Sequence, residues 1–181
     1  MTGVQTCALP ICFPVTIFGP ESTGKTDLCC GLSDEFASPW IPEYAREYVA
    51  GLNRAYTYAD VEVIARQQMH EQEEAMQLYA DADYVFFDTD LVITKVWFLH
   101  GFNRCPEWLQ PALESSEVDL YLVCKPDIPW EYDPVRENPD IREFLYDWYK
   151  RELEALHRPF AEISGLGTAR LQNAVAAIQK L

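Results

Sequence analysis

An α/β domain built on a five-stranded parallel sheet, with helices on both faces and a lid segment, is the fold this sequence predicts. Three observations carry that prediction. Short apolar runs alternate with longer helical patterns, as βαβ units require. A glycine-rich stretch stands between the first apolar run and the first helical pattern. The chain also has 181 residues, 49% of them apolar and 13% aromatic. That is enough for one substantial core and too little for two full domains.

The first strand is Phe13 to Phe18, closed by Gly19. A helix follows from Lys25 to about Phe36, then a weak second strand near Trp40 to Pro42. Thr57 opens a long helix, and Asp60 three residues on completes a capping-box pattern. Val61, Ile64, Ala65, Met69, Met76 and Tyr79 fall on one face of it. Tyr84 to Phe87 is a buried strand ending at Asp88. A helix from Leu91 to His100 comes next, and Pro106 opens a shorter one. Asp119 to Cys124 makes the fourth strand. Lys125 to Asn138 carries three prolines and no period, so a lid is expected over about 125–142.

Asn138 and Pro139 read as an N-cap and first helical residue. That helix runs to about His157, with Ile141, Phe144, Leu145, Trp148, Tyr149, Leu153 and Leu156 inward. Phe160 to Ile163 is the fifth strand, and Thr168 caps a last helix. The domain therefore spans residues 13–181. Residues 1–12 show neither period. Their MTGVQTCALPI string resembles translated sequencing-adapter sequence, so this segment is expected to be non-native or disordered.

Charge excludes several functions. Fourteen basic against 29 acidic residues leave −15, with a pI near 4.4. Nucleic-acid backbones and anionic membranes are bound by clustered Lys and Arg, which this balance disfavours. No apolar run approaches the roughly 20 residues of a membrane helix. The six cysteines form no CxxC pair and no metal-ligand spacing with the histidines, so they are expected as reduced thiols of a cytoplasmic protein. Oligomeric state is left open.

The chemistry is in Gly19-Pro20-Glu21-Ser22-Thr23-Gly24-Lys25-Thr26, which matches the phosphate-binding pattern GxxxxGK[ST] between a strand and a helix. Glycines let backbone N–H groups converge on phosphate oxygens, and the helix N-terminus adds positive potential. Lys25 is expected to reach the β- and γ-phosphates of ATP, and the Thr26 hydroxyl to bind Mg²⁺. Such loops serve switches, motors and kinases. A guanine clamp would need Asn-Lys-x-Asp where Cys124-Lys125-Pro126-Asp127 stands, and a motor would need partner domains.

Other constellations favour a kinase. Asp88 closes the third strand beside the loop, where Mg²⁺ coordination belongs. Asp90 divides between substrate contact and helix first-turn charge. Glu43, Tyr44 and Arg46 at the mouth of the sheet suit a hydroxyl-bearing, ring-containing acceptor. An amphipathic helix start with solvated charges is the other reading there. Arg136, in the lid, could close over the transferring phosphoryl group, or be a solvated loop charge.

GPESTGKT at 19–26, PEYAREYV at 42–49, FFDTD at 86–90 and the lid from Asp127 to Arg136, in this order, resemble the P-loop nicotinamide riboside kinases. In some bacteria that kinase module is fused to an NAD-synthesis regulator. The resemblance implies a three-layer P-loop kinase fold and ATP-dependent phosphorylation of the riboside 5′-hydroxyl. It places the general base at Glu43, with Glu47 the rival. Nicotinamide riboside carries a pyridinium cation, for which Tyr44, Asp90 and Trp97 are the candidate contacts. Asp27 departs from the family's usual Ser or Thr. The regulator's other modules are not expected on a chain of this length. Two alternatives stay open: a kinase of another nucleoside or small alcohol, and a regulatory module that binds ATP without transfer.

Overall fold

The computed structural model describes residues 12–134 and 136–181. The expectation for the first twelve residues therefore lies, but for Cys12, outside the described residues. Cys12 itself packs beside the cluster of Ala75, Val85 and Phe87.

Five strands form one parallel sheet: β1 (Phe13–Phe18), β2 (Trp40–Ile41), β3 (Tyr84–Asp88), β4 (Leu120–Cys124) and β5 (Phe160–Ile163). Their spatial order is β2-β3-β1-β4-β5. From β1 the chain moves to one side for β2 and β3, then to the other for β4 and β5. The crevice at the carboxyl end of β1 is thus the switch point where open α/β sheets bind ligands. Register brings Asp88 beside Ile17, next to the start of the phosphate loop.

Alternation along the strands sends side chains to two cores. Val15 and Ile17 of β1, with Leu120 and Leu122 of β4, face α1 (Lys25–Phe36) and α7 (Thr168–Ile178) through Leu28, Leu32, Ala174 and Ile178. Phe18, Tyr121 and Val123 face the other way. They meet α3 (Tyr58–Leu78), α4 (Leu91–Phe102), α5 (Leu109–Ser115) and α6 (Arg142–Ala155). The three-layer arrangement is as expected.

The capping box of α3 forms, with Thr57 and Asp60 bonded reciprocally. Asp60 also holds Arg54 and Tyr48, and these donors keep its carboxyl far below the ordinary range.

A short helix, α2 (Tyr44–Ala50), follows β2, in line with the helix-start reading of that stretch. Four local expectations are corrected. The helix after Pro106 starts only at Leu109, after a turn closed by the Pro106 carbonyl. Asn138 does not cap α6, because its N–H is held by the Glu21 carboxylate at 2.9 Å and the helix begins at Arg142. Phe144 on α6 is exposed, and Tyr146 is buried instead. At α7 the cap is Gly167, whose positive φ of 50° suits glycine, and Thr168 is already helical.

Candidate active site

The phosphate loop is shaped by its glycines. Gly19 has φ +148°, and a Cβ there would lie 2.7 Å from the Cys124 carbonyl oxygen. Gly24 has φ +70° and starts α1 with no side-chain cap, which leaves the helix's first N–H groups for an anion. Within the loop the Thr23 hydroxyl donates to the Pro20 carbonyl at 2.8 Å. Lys25 Nζ donates to the same oxygen at 3.0 Å, so its ammonium lies folded over the loop.

Strand β3 delivers Asp88 to this loop. The Thr26 hydroxyl donates to Asp88 Oδ2 at 2.6 Å, while Oδ1 is buried with no hydrogen-bond partner among the described residues. Burial pushes the Asp88 carboxyl up, against the pull of the Lys25 charge and the Thr26 bond. An orphaned carboxylate oxygen beside a loop threonine fits a hard dication that takes its remaining ligands from phosphates and water. No group of three or more His, Cys, Asp or Glu among the described residues could hold a metal without such help. The turn after β3 is fastened from α3: Gln68 donates to the Thr89 hydroxyl at 2.8 Å, and Thr89 takes φ 75°.

Loop and strand ends open into a cleft of ≈ 640 Å³. Gly19, the Glu21-to-Thr26 stretch, Glu43, Arg46, Trp97 and Arg136 all line it, with Asp88 bonded beneath. Glu43 sits at the junction of β2 and α2. Desolvation raises its carboxyl; the Lys25 charge opposes that, and Asp88 adds to it. Its rival Glu47 is exposed and does not line the cleft. The far end is aromatic, with Trp97 and His100 of α4, Tyr149 of α6 and Tyr56 from the loop before α3.

Two expected contacts lie elsewhere. Tyr44 is outside the cleft and packs on Tyr48, ring centres 5.9 Å apart. Asp90 is only 3% exposed and caps α4, accepting from the Val92 N–H at 2.9 Å. Burial pushes its carboxyl up to about 6, against hydrogen bonds from Tyr121 and Val92. It borders a second cavity of ≈ 230 Å³. Of the two readings of Asp90, the geometry places it at the helix start.

The lid lies down on the loop. Glu21 Oε2 accepts the N–H groups of Glu137 and Asn138 at 3.0 and 2.9 Å. Ser22 Oγ accepts the Glu131 N–H at 3.0 Å, and Arg142 donates to the Ser22 and Ile128 carbonyls. Arg46 is ion-paired with Asp133. The Arg136 guanidinium donates to the Glu131 carbonyl at 2.7 Å and reaches Ser22 Oγ at 3.4 Å.

Sequence reasoning missed Arg170. It is 3% exposed, donates to the Thr23 carbonyl at 2.6 Å and the Gly165 carbonyl at 2.7 Å, and pairs with Asp127. One buried guanidinium thereby ties the phosphate loop to the loops after β4 and β5. A lone Arg on an amphipathic helix gives no signal of this.

Comparison with known proteins agrees with this architecture. The family model described as an AAA domain matches residues 14–170. The trifunctional NAD biosynthesis/regulator protein NadR of Escherichia coli (strain K12) is 30% identical over 137 residues, 72% of this chain and 33% of that protein. The Salmonella typhimurium NadR is likewise 30% identical over 126 residues. The chain spans about a third of the length of these curated relatives. A crystal structure of NadR in complex with NR superposes with a TM-score of 0.81 at 24% identity, over 94% of this chain and 51% of that one. Thymidylate kinase from Ehrlichia chaffeensis shares the fold, with a TM-score of 0.68 at 10% identity, over 94% of this chain and 99% of that one. Among the described residues no helix is long and apolar enough to cross a membrane.

Proposed function

The chain belongs to the AAA domain family, and from that premise we propose that it transfers the γ-phosphoryl group of ATP to the 5′-hydroxyl of nicotinamide riboside, giving nicotinamide mononucleotide. The observation that carries the reading is one cleft that joins Lys25, the Thr26–Asp88 pair and Glu43 to an aromatic wall. The NadR structure solved with NR supports the choice of acceptor.

The chain's own groups divide the work. Backbone N–H groups of residues 21–26 and the Lys25 ammonium hold the β- and γ-phosphates. Thr26 and Asp88 would hold Mg²⁺, which when bound neutralises charge on the phosphate oxygens. Glu43 accepts a hydrogen bond from the acceptor hydroxyl and aims its oxygen at the γ-phosphorus. As that O–P bond forms, the bond to the β–γ bridging oxygen breaks, ADP leaves, and Glu43 takes the hydroxyl proton. Arg136 lines the same cleft beside Ser22 of the loop and is the group to meet the charge of the transferring phosphoryl. Trp97 and Tyr56 present ring faces and edges, Glu43 and Glu137 present negative charge, and both suit a pyridinium cation, at roughly 0.5–2 kcal/mol for the ring contact.

The test is a panel of nucleosides offered with ATP and Mg²⁺ to the purified protein. We expect nicotinamide riboside to be phosphorylated at O5′ in preference to uridine and cytidine. Folded Lys25→Ala protein should show no measurable transfer, because such sites work by positioning and charge. Preference for uridine or cytidine would reassign the acceptor, and full activity in Lys25→Ala would sink the kinase reading.

A further inference from the structure

Tyr56 belongs both to the aromatic end of the cleft and to the fastening of the lid. Its ring meets Trp97 edge-on, with centres 4.9 Å apart and planes at 79°, and Phe102 at 6.4 Å. Its hydroxyl donates to Glu137 Oε2 at 2.7 Å. Glu137 follows Arg136 directly, and its own N–H is held by Glu21 of the phosphate loop. Burial and the Glu137 carboxylate push the Tyr56 phenol up to about 12, so it remains a donor throughout the neutral range.

We infer that Tyr56 is a positioning residue that couples occupancy of the acceptor pocket to closure of the lid over the γ-phosphate. The chain of contacts is short and directional. A ring seated against Trp97 fixes the Tyr56 ring, and the fixed ring points its hydroxyl at Glu137. Glu137 then has two holds, its side chain on the acceptor side and its N–H on the nucleotide side. Arg136, one residue away, is placed only when both ends are fastened. With the pocket empty, Tyr56 keeps its rotamer freedom and the hydrogen bond is made less often. The lid then rests chiefly on Glu21, Ser22 and Arg46, with the Tyr56–Glu137 bond made part of the time. A water molecule entering next to ATP would accordingly find Arg136 unplaced, which disfavours wasteful hydrolysis.

This deepens the proposed transfer reaction and rests on it for the identity of the acceptor, but the latch itself can be read without turnover. Tyr56→Phe keeps the ring and removes only the hydroxyl; Glu137→Gln keeps an acceptor oxygen; Glu137→Ala removes it. Hydrogen exchange at the Glu137 and Asn138 amides is measured with a non-hydrolysable ATP analogue, with and without nicotinamide riboside, alongside kcat and KM. In wild type the riboside should slow exchange at these amides. Tyr56→Phe and Glu137→Ala should each exchange about tenfold faster and respond little to riboside, the scale of one hydrogen bond to a charged group.

Their kcat should fall about tenfold while KM for ATP stays within twofold, and the double variant should be no worse than either single one. Glu137→Gln should recover most of the loss. Wild-type exchange in Tyr56→Phe, or additive losses in the double variant, would overturn the coupling. If no acceptor on the panel is phosphorylated, the proposed reaction fails. The comparison with ATP analogue alone still decides whether Tyr56 fastens the lid: faster exchange in Tyr56→Phe upholds the fastening, and unchanged exchange overturns it.

Discussion

In the proposed reaction Glu43 is the group that takes the acceptor's proton. Its carboxyl is raised above the ordinary range chiefly by desolvation, and Lys25 partly offsets that. A raised carboxyl is protonated to a higher pH than usual, and the protonated form cannot accept the acceptor's proton. kcat/KM in wild type should therefore fall on the acid side through a limb lying above the ordinary carboxylate range. Glu43→Gln should remove that limb and lower kcat by roughly 10²- to 10⁴-fold, about 3–5 kcal/mol, with riboside KM little changed. Glu47→Gln, on an exposed position outside the cleft, should do neither. The pair of pH–rate profiles checks the assignment, and the reverse result would move the base to Glu47. Residues whose chemistry depends on near neighbours in sequence were legible in this way: the loop from Gly19 to Thr26, Asp88 at a strand end, Glu43 after β2. Those whose role depends on a distant partner were not. Arg170 reaches the Thr23 carbonyl 147 positions away, and Glu21 meets lid amides 116 and 117 positions on.

Among the elements, α4 connects the two cavities. Its first residues rest on Asp90, and two turns on Trp97 and His100 form the ring wall of the cleft. The Asp90 cap carries a pH signature with a definite sign. Its folded pKa of about 6 lies above the reference 3.8, so the folded chain binds this proton more tightly than the unfolded one. That contribution is fully present below about pH 4 and is lost as pH rises to about 6. Asp90→Asn keeps an oxygen for the Val92 N–H and does not titrate. Relative to the variant, wild type should thus lose stability between pH 4 and 6, by at most about 3 kcal/mol, and run parallel above. Urea midpoints at pH 4.5 and 7.5 check this, and a pH-independent difference would refute it. Apolar runs and periodicity revealed β1, β3, β4 and the long helices, because each buries a run or a regular face; β2, two residues long with neither buried, was legible only as a weak strand. Periodicity left α2 as one of two readings of its stretch, because a seven-residue helix with none buried has no stripe to detect. It misplaced the start of α6, because a Glu21 contact from another part of the chain holds Asn138 out of the cap.

On the scale of the whole molecule, the sheet separates two cores and the cleft is where their edges meet. The phosphate loop and α1 stand on the core of Leu28, Leu32 and Ile178. The ring wall stands on α4 and α6, in the core of Val96, Leu145 and Tyr149. The lid, anchored on Glu21, Arg46 and Tyr56, bridges loop, α2 and aromatic wall. In the proposed reaction a nucleotide alone would tie down one side, an acceptor alone the other, and both together the bridge as well. A net charge of −15 adds a bias between the ligands. It draws a pyridinium cation toward the cleft and repels the triphosphate, which must rely on the local field of Lys25 and the α1 N-terminus. Each ligand at a hundred times its Kd should stabilise by about 2.7 kcal/mol, which for a chain of this size is roughly 5–10 °C in Tm. Because closure needs both, an ATP analogue and nicotinamide riboside together should raise Tm by more than the sum of their separate shifts. Thermal melts at fixed multiples of each Kd measure this directly. A strictly additive pair of shifts would mean that the two sites do not communicate through the lid, and no riboside shift in the presence of the analogue would mean that the aromatic wall is not the acceptor site.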